Sequence, residues 1–142
     1  MDVSEINKRV IEQFRAGGEI DGMHRERLLL LTTTGARSGR PHTTPMMFHR
    51  DGDGRLLVIA SNAGAPRDPD WYRNLVAHPE VRVEVGDHAY RATATALTGA
   101  DRERAWAEIK AAYPFFADHE AKAGREIPVV ELIRSGQFAT DQ

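Results

Sequence analysis

One segment near the start of the chain brings together two glycines, two arginines and several hydroxyl side chains, a combination that suits anion binding. It covers residues 32–41 as TTTGARSGRP and directly follows four leucines at 28–31. Small residues let backbone N–H groups converge on an anion, and Arg37 and Arg40 add charge and paired donors. The segment therefore predicts either a cradle for phosphate or polycarboxylate, with His42 as a further donor, or a plain turn with solvated arginines.

A second segment carries small and polar side chains at the place where a predicted strand ends. It covers residues 59–66 and reads IASNAGAP. Small side chains let a flat ring approach the backbone closely, and Ser61 and Asn62 offer hydrogen-bonding groups to ring carbonyls. The segment predicts either an ordinary loop or the edge of a ring-binding site.

A third candidate is the segment WYRNL, in which Trp71, Asn74 and Leu75 would share one face of a short helix. An amide on an inward face needs a hydrogen-bond partner. Two interpretations follow. Either Asn74 bonds the backbone while Trp71 packs in the core, or Trp71 forms the wall of a pocket and Asn74 faces a ligand.

A fourth candidate is an aromatic segment near residue 115. Tyr113, Phe116 and His119 are spaced by three, so in a helix they would lie on one face. A stripe of core residues is the simpler interpretation. The presence of a tyrosine and a histidine in the stripe also fits a lid over a pocket.

Composition and motifs exclude several classes of protein. The 142 residues include no cysteine, which rules out disulfides, thiolate catalysis and cysteine-based metal sites. A net charge of -2 argues against nucleic-acid binding. The histidines form neither HxH nor HExxH, so we expect no metal site, and the chain has no Walker loop, dinucleotide fingerprint or GxSxG elbow. Without a signal-like start or an apolar run near ~20 residues, we expect a cytoplasmic protein.

The length predicts one domain over residues 1–142. Hydrophobic periodicity predicts that residues 1–20 form an amphipathic helix, with Asp2 or Ser4 as candidate cap. This helix would pack on the domain, act as a lid or touch a membrane surface. Thr98 and Asp101 resemble a capping box for a later helix. Hairpin signals dominate, so we expect a small closed or nearly closed β-barrel with helices attached. Strands are predicted at 27–34, 43–50, 56–61, 81–85, 89–97 and 128–133, and the later helices near 70–76, 98–113 and 115–122.

Taken in order, these segments resemble the deazaflavin (F420)-dependent nitroreductases, also described as F420H2-dependent quinone reductases. The resemblance covers most of the chain, from about residue 28 to residue 130. It implies a mainly β split barrel. This barrel type also occurs in flavin reductases and pyridoxamine oxidases, where it binds FMN. It also implies that reduced F420, which is anionic at one end and flat at the other, donates a hydride. The matching stretches are 28–39 with Pro41 and Pro45, 61–65, 70–75 with Pro79, and, less sharply, 113–114 and 127–130.

The resemblance assigns roles to the candidate residues. The phosphate and tail of F420 would be held by Arg37, Ser38, Gly39, Arg40 and His42. Residues along and around the rest of the cofactor would be Thr43, Thr44, Pro45, Met46, Ile59, Ala60, Ser61, Asn62, Asp70, Trp71, Arg73 and Asn74. The acceptor pocket would comprise Met47, Trp71, Tyr113, Phe116 and His119. Ser61 and Tyr113 are the candidate catalytic residues, because a donor that stabilises charge on the acceptor accelerates reduction.

Three positions depart from the family's best-studied branch. Asn62 replaces a lysine, which removes one cation, and Phe116 and His119 replace tyrosines. Because Phe116 cannot donate a proton, we expect a quinone or another conjugated acceptor rather than a nitro prodrug. An FMN-dependent relative, a non-catalytic F420 carrier and a barrel that binds a protein partner are the alternatives. A homodimer and peripheral membrane contact are left open.

Overall fold

A computed structural model describes residues 3–20 and 24–136, with side chains from Glu5 onward. The helices are α1 (Val3–Ala16), α2 (Asp70–Ala77), α3 (Gly99–Ala112) and α4 (Phe115–Ala123). The strands are β1 (Leu28–Thr34), β2 (Pro41–Arg50), β3 (Leu56–Ile59), β4 (Glu80–Val85), β5 (His88–Ala96) and β6 (Val129–Gly136). Short 3-10 turns occupy Arg25–Arg27 and Asn62–Gly64.

The six strands form a closed barrel in the order β1-β2-β3-β6-β5-β4, and β4 pairs with β1 to close it. All six neighbouring pairs are antiparallel. This confirms the predicted mainly β barrel. The largest error in the strand bounds concerns β6, which is predicted to end at residue 133 but continues to Gly136 because its end still pairs with β5. The third strand, predicted to reach residue 61, stops at Ile59 because Ser61 already begins a 3-10 turn.

The four consecutive leucines form a strand because both faces of β1 are covered. Leu29 and Leu31 point into the barrel, where they pack with residues such as Val83 and Val130. Leu28 and Leu30 point outward, against α1. Each buried leucine stabilises the fold by about 1.5–3 kcal/mol, so a strand without polar alternation is favoured here.

The first helix packs on the outer face of the barrel through Val10 and Phe14, as the packing interpretation predicted. Near its end, Arg15 donates two hydrogen bonds to the buried Glu84 carboxylate, at 3.1 and 2.9 Å. The side chains of Asp2 and Ser4, the predicted caps, lie outside the described residues. No helix within the described ranges is both long and apolar enough to cross a membrane.

The capping box predicted at the start of α3 is wrong. Thr98 precedes the helix but makes no side-chain capping bond. Asp101 instead accepts hydrogen bonds from Arg55 Nη1 and Nη2 at 2.9 and 3.1 Å. A charge-assisted, two-pronged bond to a guanidinium is stronger than a neutral cap, which explains why Asp101 turns toward the barrel.

Candidate functional site

Two loops named by the sequence leave the barrel at the same end. Because β1 and β3 are each antiparallel to β2, they run in the same direction and end at the same rim. We call residues 35–40, between β1 and β2, the arginine turn, and residues 60–68, after β3, the Ser61 loop. The helix α2 follows the Ser61 loop and buries Leu75 against the barrel interior.

The arginine turn is closed by its own backbone. Gly35 N donates to Arg40 O at 2.8 Å, and Gly39 N donates to Gly35 O at 3.0 Å. Arg40 N donates to Ser38 Oγ at 3.1 Å. A Cβ on Gly35 would press on Ser38 Oγ and lie 2.9 Å from His42 Nε2, so any larger residue would force both side chains to shift.

The prediction that backbone N–H groups of this turn would converge on an anion is therefore wrong for four of its residues. The N–H groups of Gly35, Gly39 and Arg40 bond within the turn, and that of Ala36 bonds to Asn74. Each backbone N–H is a strong donor, and protein atoms already accept from these four. An anion would be held chiefly by side chains.

The side chains of the turn are available for that role. Arg37 and Arg40 are exposed, and within the described chain neither has an acidic side chain within ion-pair distance. His42 is also exposed, with Nε2 3.4 Å from Ser38 Oγ. Two unpaired guanidinium groups on a rigid turn form a favourable site for a phosphate or carboxylate.

The side chain of Asn74 joins α2 to the arginine turn. Its Nδ2 donates to Thr33 Oγ1 at 3.1 Å, and its Oδ1 accepts from Ala36 N at 3.0 Å. Trp71 packs against the interior cluster beside Leu75, which confirms that the three residues share the inward face. Asn74 thus bonds protein groups, as the simpler interpretation had it.

On α2, the positive charge of Arg73 is partly neutralised by Asp70. Arg73 forms an ion pair with Asp70, one helical turn away, and both side chains are largely exposed. A ligand carboxylate or phosphate would compete with Asp70 for this guanidinium. Asp70 and Arg73 stay predictions as site residues.

Residues 43–47 of β2 include those predicted to run along the cofactor. Their side chains alternate between the outer and inner faces of the barrel wall. Thr43, Pro45 and Met47 pair with outward residues of β1, whereas Thr44 and Met46 pair with the inward Leu31 and Leu29. Met46 packs against the barrel interior. Only one of the two sets can therefore present side chains to a ligand on the outer face.

A groove of about 420 Å³ runs beside Thr43 on the outer face of the barrel. Thr43 Oγ1 itself lies 2.8 Å from Thr32 Oγ1, so the two hydroxyls form a pair on this face. The other residues that line the groove are Asn7, Lys8, Ile11, Glu12 and Arg15, all on α1.

The Ser61 loop presents one buried hydroxyl. Ser61 is 6% exposed, and its Oγ lies 3.2 Å from His119 Nδ1 on α4. Ala60 is fully buried, and Ile59 packs outward under α3 and α4. Asn62 is exposed and its Nδ2 donates to Arg67 O at 3.1 Å, so its amide is partly engaged within the loop, and Asn62 stays a prediction as a site residue.

The three aromatic residues near position 115 do not lie on one helix. Tyr113 ends α3, and α4 begins after Pro114, which breaks the helical path. Phe116 is 5% exposed and packs against Trp106, with ring centroids 6.1 Å apart. Its ring thus belongs to the core beneath the site.

Sequence reasoning missed Phe115, the aromatic residue that is actually exposed. It is 40% exposed, and its ring centroid lies 4.4 Å from Phe116 and 5.5 Å from His119. Tyr113 lies 6.1 Å from it on the other side. Tyr113, Phe115 and His119 therefore form a cluster of mutually tilted rings with Phe116 behind them, and His119 joins this cluster to Ser61.

It also missed Arg125, whose guanidinium bonds five oxygen atoms of the Ser61 loop. No motif marks a lone arginine after a helix, and its acceptors lie 57 to 65 positions away. Among the residues that the structure covers, no group of three His, Asp or Glu could hold a metal ion.

The closed antiparallel barrel with attached helices defines the fold class of this protein. A solved Listeria innocua barrel assigned to the pyridoxamine 5'-phosphate oxidases shares this fold, at 16% identity and a TM-score of 0.54 over 95% of this chain and 98% of that one. Unpaired arginines at one loop and a buried hydroxyl beside an aromatic cluster at the other fit a molecule that is anionic at one end and flat at the other.

Comparison with known sequences narrows this class to one family. The sequence model of the F420H(2)-dependent quinone reductases matches residues 5–133. A Mycobacterium tuberculosis protein named F420H(2)-dependent quinone reductase is 38% identical over 109 residues, which cover 75% of this chain and 72% of that protein. The chain belongs to the F420H(2)-dependent quinone reductase family and is an oxidoreductase, which confirms the resemblance seen in the sequence.

Solved relatives agree with this assignment. A structure described as an F420-H2 dependent reductase is 38% identical, covers 78% of this chain and 99% of its own, and superposes with a TM-score of 0.67. Another, described as a domain-swapped dimer, is 37% identical, covers 86% of this chain and 92% of its own, and has a TM-score of 0.69.

Proposed function

We propose that this protein binds reduced F420 and reduces a quinone. The observation that carries the proposal is the arginine turn, in which four backbone N–H groups bond protein atoms while Arg37 and Arg40 are left without acidic partners in the described chain. A turn built this way holds two cations in place at a barrel rim. F420 offers a phosphodiester and a polyglutamate tail as their counterpart.

Three side chains would hold the anionic end: Arg37, Arg40 and His42. The flat end would lie against the Ser61 loop, with the Ser61 hydroxyl beside His119 as its polar contact and Ala60 buried beneath. When bound, reduced F420 supplies a hydride from its ring carbon. The protein supplies position and electrostatics, as in other cofactor enzymes.

The hydroxyl of Ser61 is the first group proposed to stabilise charge on the acceptor. Its contact with His119 Nδ1, at 3.2 Å, sets the direction of its proton. When Nδ1 carries a proton, it donates to Ser61 Oγ and leaves the Ser61 proton free for the acceptor. When Nδ1 is bare, Ser61 donates to it instead. The half-buried hydroxyl of Tyr113 is the second such group, and both would act where negative charge develops.

The cluster formed by Tyr113, Phe115 and His119 suits a planar acceptor. Aromatic faces bind flat conjugated molecules by offset or edge contacts. Phe116 lies behind this cluster and has no proton to give. We therefore propose quinones as the main acceptors, with nitro compounds reduced more slowly.

One titration and one assay test the proposal. The protein should quench F420 fluorescence on binding, and F420 should co-elute with it on gel filtration. With FMN in place of F420, neither the quenching nor the co-elution should occur. Adding menadione should then oxidise reduced F420 at a rate proportional to enzyme, faster than an equimolar nitroimidazole does. F420 binding without any acceptor-dependent oxidation would instead establish a carrier, and absence of F420 binding would end the proposal.

We also propose that the protein forms a homodimer, in line with the relative described as a domain-swapped dimer. Gel filtration with light scattering measures this directly, and a mass of 15.8 kDa would show a monomer. Contact of α1 with a membrane surface stays a prediction, which a vesicle sedimentation assay can decide.

A further inference from the structure

The guanidinium of Arg125, in the turn after α4, bonds the backbone of the Ser61 loop along most of its length. Nη2 donates to the carbonyl oxygens of Ala60 and Ser61, both at 3.2 Å, and of Arg67 at 3.1 Å. Nε donates to Ala65 O at 3.2 Å. One side chain therefore spans both ends of the loop.

The same guanidinium is anchored electrostatically. Nη1 donates to Asp68 Oδ1 at 2.7 Å and lies 3.5 Å from Glu126 O. The side chain of Arg125 is 16% exposed and that of Asp68 is 34% exposed, so the guanidinium is the better shielded partner of the pair. A planar fork with five N–H donors can satisfy this spread of acceptors, which a lysine cannot.

The loop that Arg125 holds has a strained backbone. Asn62 and Ala63 have φ values of 50° and 54°, a conformation that residues with a Cβ seldom adopt, and Gly64 follows at 84°. Two consecutive residues of this kind persist only where surrounding contacts hold them. The side-chain bond from Asn62 to Arg67 O supplies one such contact, and Arg125 supplies four backbone contacts.

The strained part of the loop is also pressed onto α4. A Cβ at Gly64 would come within 3.3 Å of His119 Cα and 3.1 Å of Lys122 Cδ. This close approach brings Ser61 Oγ to His119 Nδ1. Helix α4, its following arginine and the Ser61 loop therefore form one interlocked unit.

We propose that Arg125 is a positioning residue: it maintains the strained Ser61 loop and thereby holds the Ser61 hydroxyl against His119 and toward F420. Arg125 itself touches neither the cofactor nor the acceptor. This inference rests on the proposed function only for the last step, the contact between Ser61 and F420.

The free protein provides the first test. In Arg125→Ala, amide hydrogen exchange across residues 60–68 should accelerate about tenfold or more, because local stability is lost there. Exchange in β1 should stay unchanged, and the His119 ring nitrogen shifts should report loss of the Ser61 contact. Arg104→Ala, which removes an exposed arginine of α3, is the matched control and should change none of these. Unchanged exchange in the loop of Arg125→Ala would overturn the inference.

The second test uses the enzyme with reduced F420 and menadione. It is a double-mutant cycle that combines Arg125→Ala with Ser61→Ala. Misplacing a reacting group by about 1 Å can cost roughly 100-fold, so Arg125→Ala should lower kcat by about 10- to 100-fold with a smaller change in the KM for menadione. Arg125→Lys should fall between, since it keeps the charge but loses the fork. If Arg125 acts through Ser61, adding Arg125→Ala to Ser61→Ala should lower kcat by less than about threefold.

The outcomes separate the two proposals. Independent, multiplicative losses in the double variant would overturn the positioning role and leave the proposed function standing. If Ser61→Ala alone changed neither F420 affinity nor kcat, the Ser61 assignment and this inference would both fall. The affinities of the Arg37 and Arg40 variants for F420 would still test whether these two arginines bind the cofactor.

Discussion

Two turns of the barrel contain arginine and glycine, yet they do different work. The turn at residues 51–55 joins β2 to β3, and its Arg55 bonds Asp51 Oδ2 through Nε at 2.7 Å and Asp101 Oδ2 through Nη1 at 2.9 Å. Glu131 lies 3.9 Å away as a third carboxylate. The arginine turn at residues 35–40 has no carboxylate near its guanidinium groups within the described chain. Its charges face solvent.

The two turns have similar residue types, so their composition does not tell a structural arginine from a ligand-binding one. What differs is whether carboxylates neutralise the charge of the guanidinium group. These bonds to Asp101 and Asp51 raise the pKa of Arg55. Burial alone would raise the pKa of Asp51, but hydrogen bonds from Arg55 lower it overall. A guanidinium already surrounded by carboxylates has little left to offer a ligand, whereas Arg37 and Arg40 keep their full capacity.

The largest effect should come from removing both free arginines. Arg37→Ala combined with Arg40→Ala should weaken F420 binding by about 4 kcal/mol, since a hydrogen bond to a charged group contributes about 1.5–3 kcal/mol. Fluorescence titration measures the affinity, and the midpoint of thermal unfolding should not move. Affinity within threefold of the parent protein would show that this turn is not the anion site.

The paired arginine should show the opposite result. Arg55→Ala leaves the Asp51 carboxylate, 4% exposed, without its cation, so the free energy of unfolding should fall by about 3 kcal/mol. Urea denaturation measures the loss, and F420 affinity of the folded variant should be unchanged. A variant that kept its stability but lost F420 would reverse the roles of the two turns.

A smaller effect should separate the glycines of the same two turns. Gly35→Ala brings a methyl group onto the side-chain ends of Ser38 and His42, which must shift, so F420 affinity should fall about tenfold and stability by about 1 kcal/mol. Gly52→Ala is the matched control, because no atom lies within 4 Å of its added Cβ. It should change stability by less than about 0.5 kcal/mol. Equal effects at both positions would contradict the close packing of the arginine turn.

The smallest effect is a pH dependence confined to the 51–55 turn. Hydrogen bonds from Arg55 lower the pKa of Asp101, and the pKa of Asp51 is lowered too. The folded state therefore binds fewer protons than the unfolded state near pH 4, so this stability is complete above the unfolded pKa of about 3.9 and is lost as the pH falls through the folded pKa values.

Urea unfolding at pH 6 and pH 3 checks that expectation. The parent protein should lose stability at pH 3, and Asp51→Asn should lose less of it on acidification because one of the titrating groups is gone. Equal losses in both proteins would mean that other carboxylates carry the acid sensitivity.

Local patterns were sufficient to predict most of the fold. Residues 81–85 alternate apolar and charged side chains, and β4 forms there. Pro114 broke the helical path as its missing N–H requires, and Gly124 ends α4 with a φ of 64°. Glycine, proline and alternation act within a few residues, which is why sequence alone reveals their effect.

The candidate site was only partly predictable. The arginine turn and Ser61 were visible because their residue types are unusual for a strand end. That Arg55 is neutralised depends on Asp101, 46 positions away, and the hold of Arg125 on the Ser61 loop depends on α4 folding back. The choice between Phe115 and Phe116 rested on Trp106 lying behind the latter. Such long-range contacts leave no local pattern.

The place of β6 has a consequence for biosynthesis. It lies between β3 and β5, and pairs Leu57 with Glu131 across more than half of the chain. Until residues 129–136 have left the ribosome, β3 and β5 on a nascent chain each present an unpaired strand edge, and such edges readily pair with other chains. We therefore expect the barrel to close only after β6 has been synthesised, and the nascent chain to be most prone to pairing with other chains before that point.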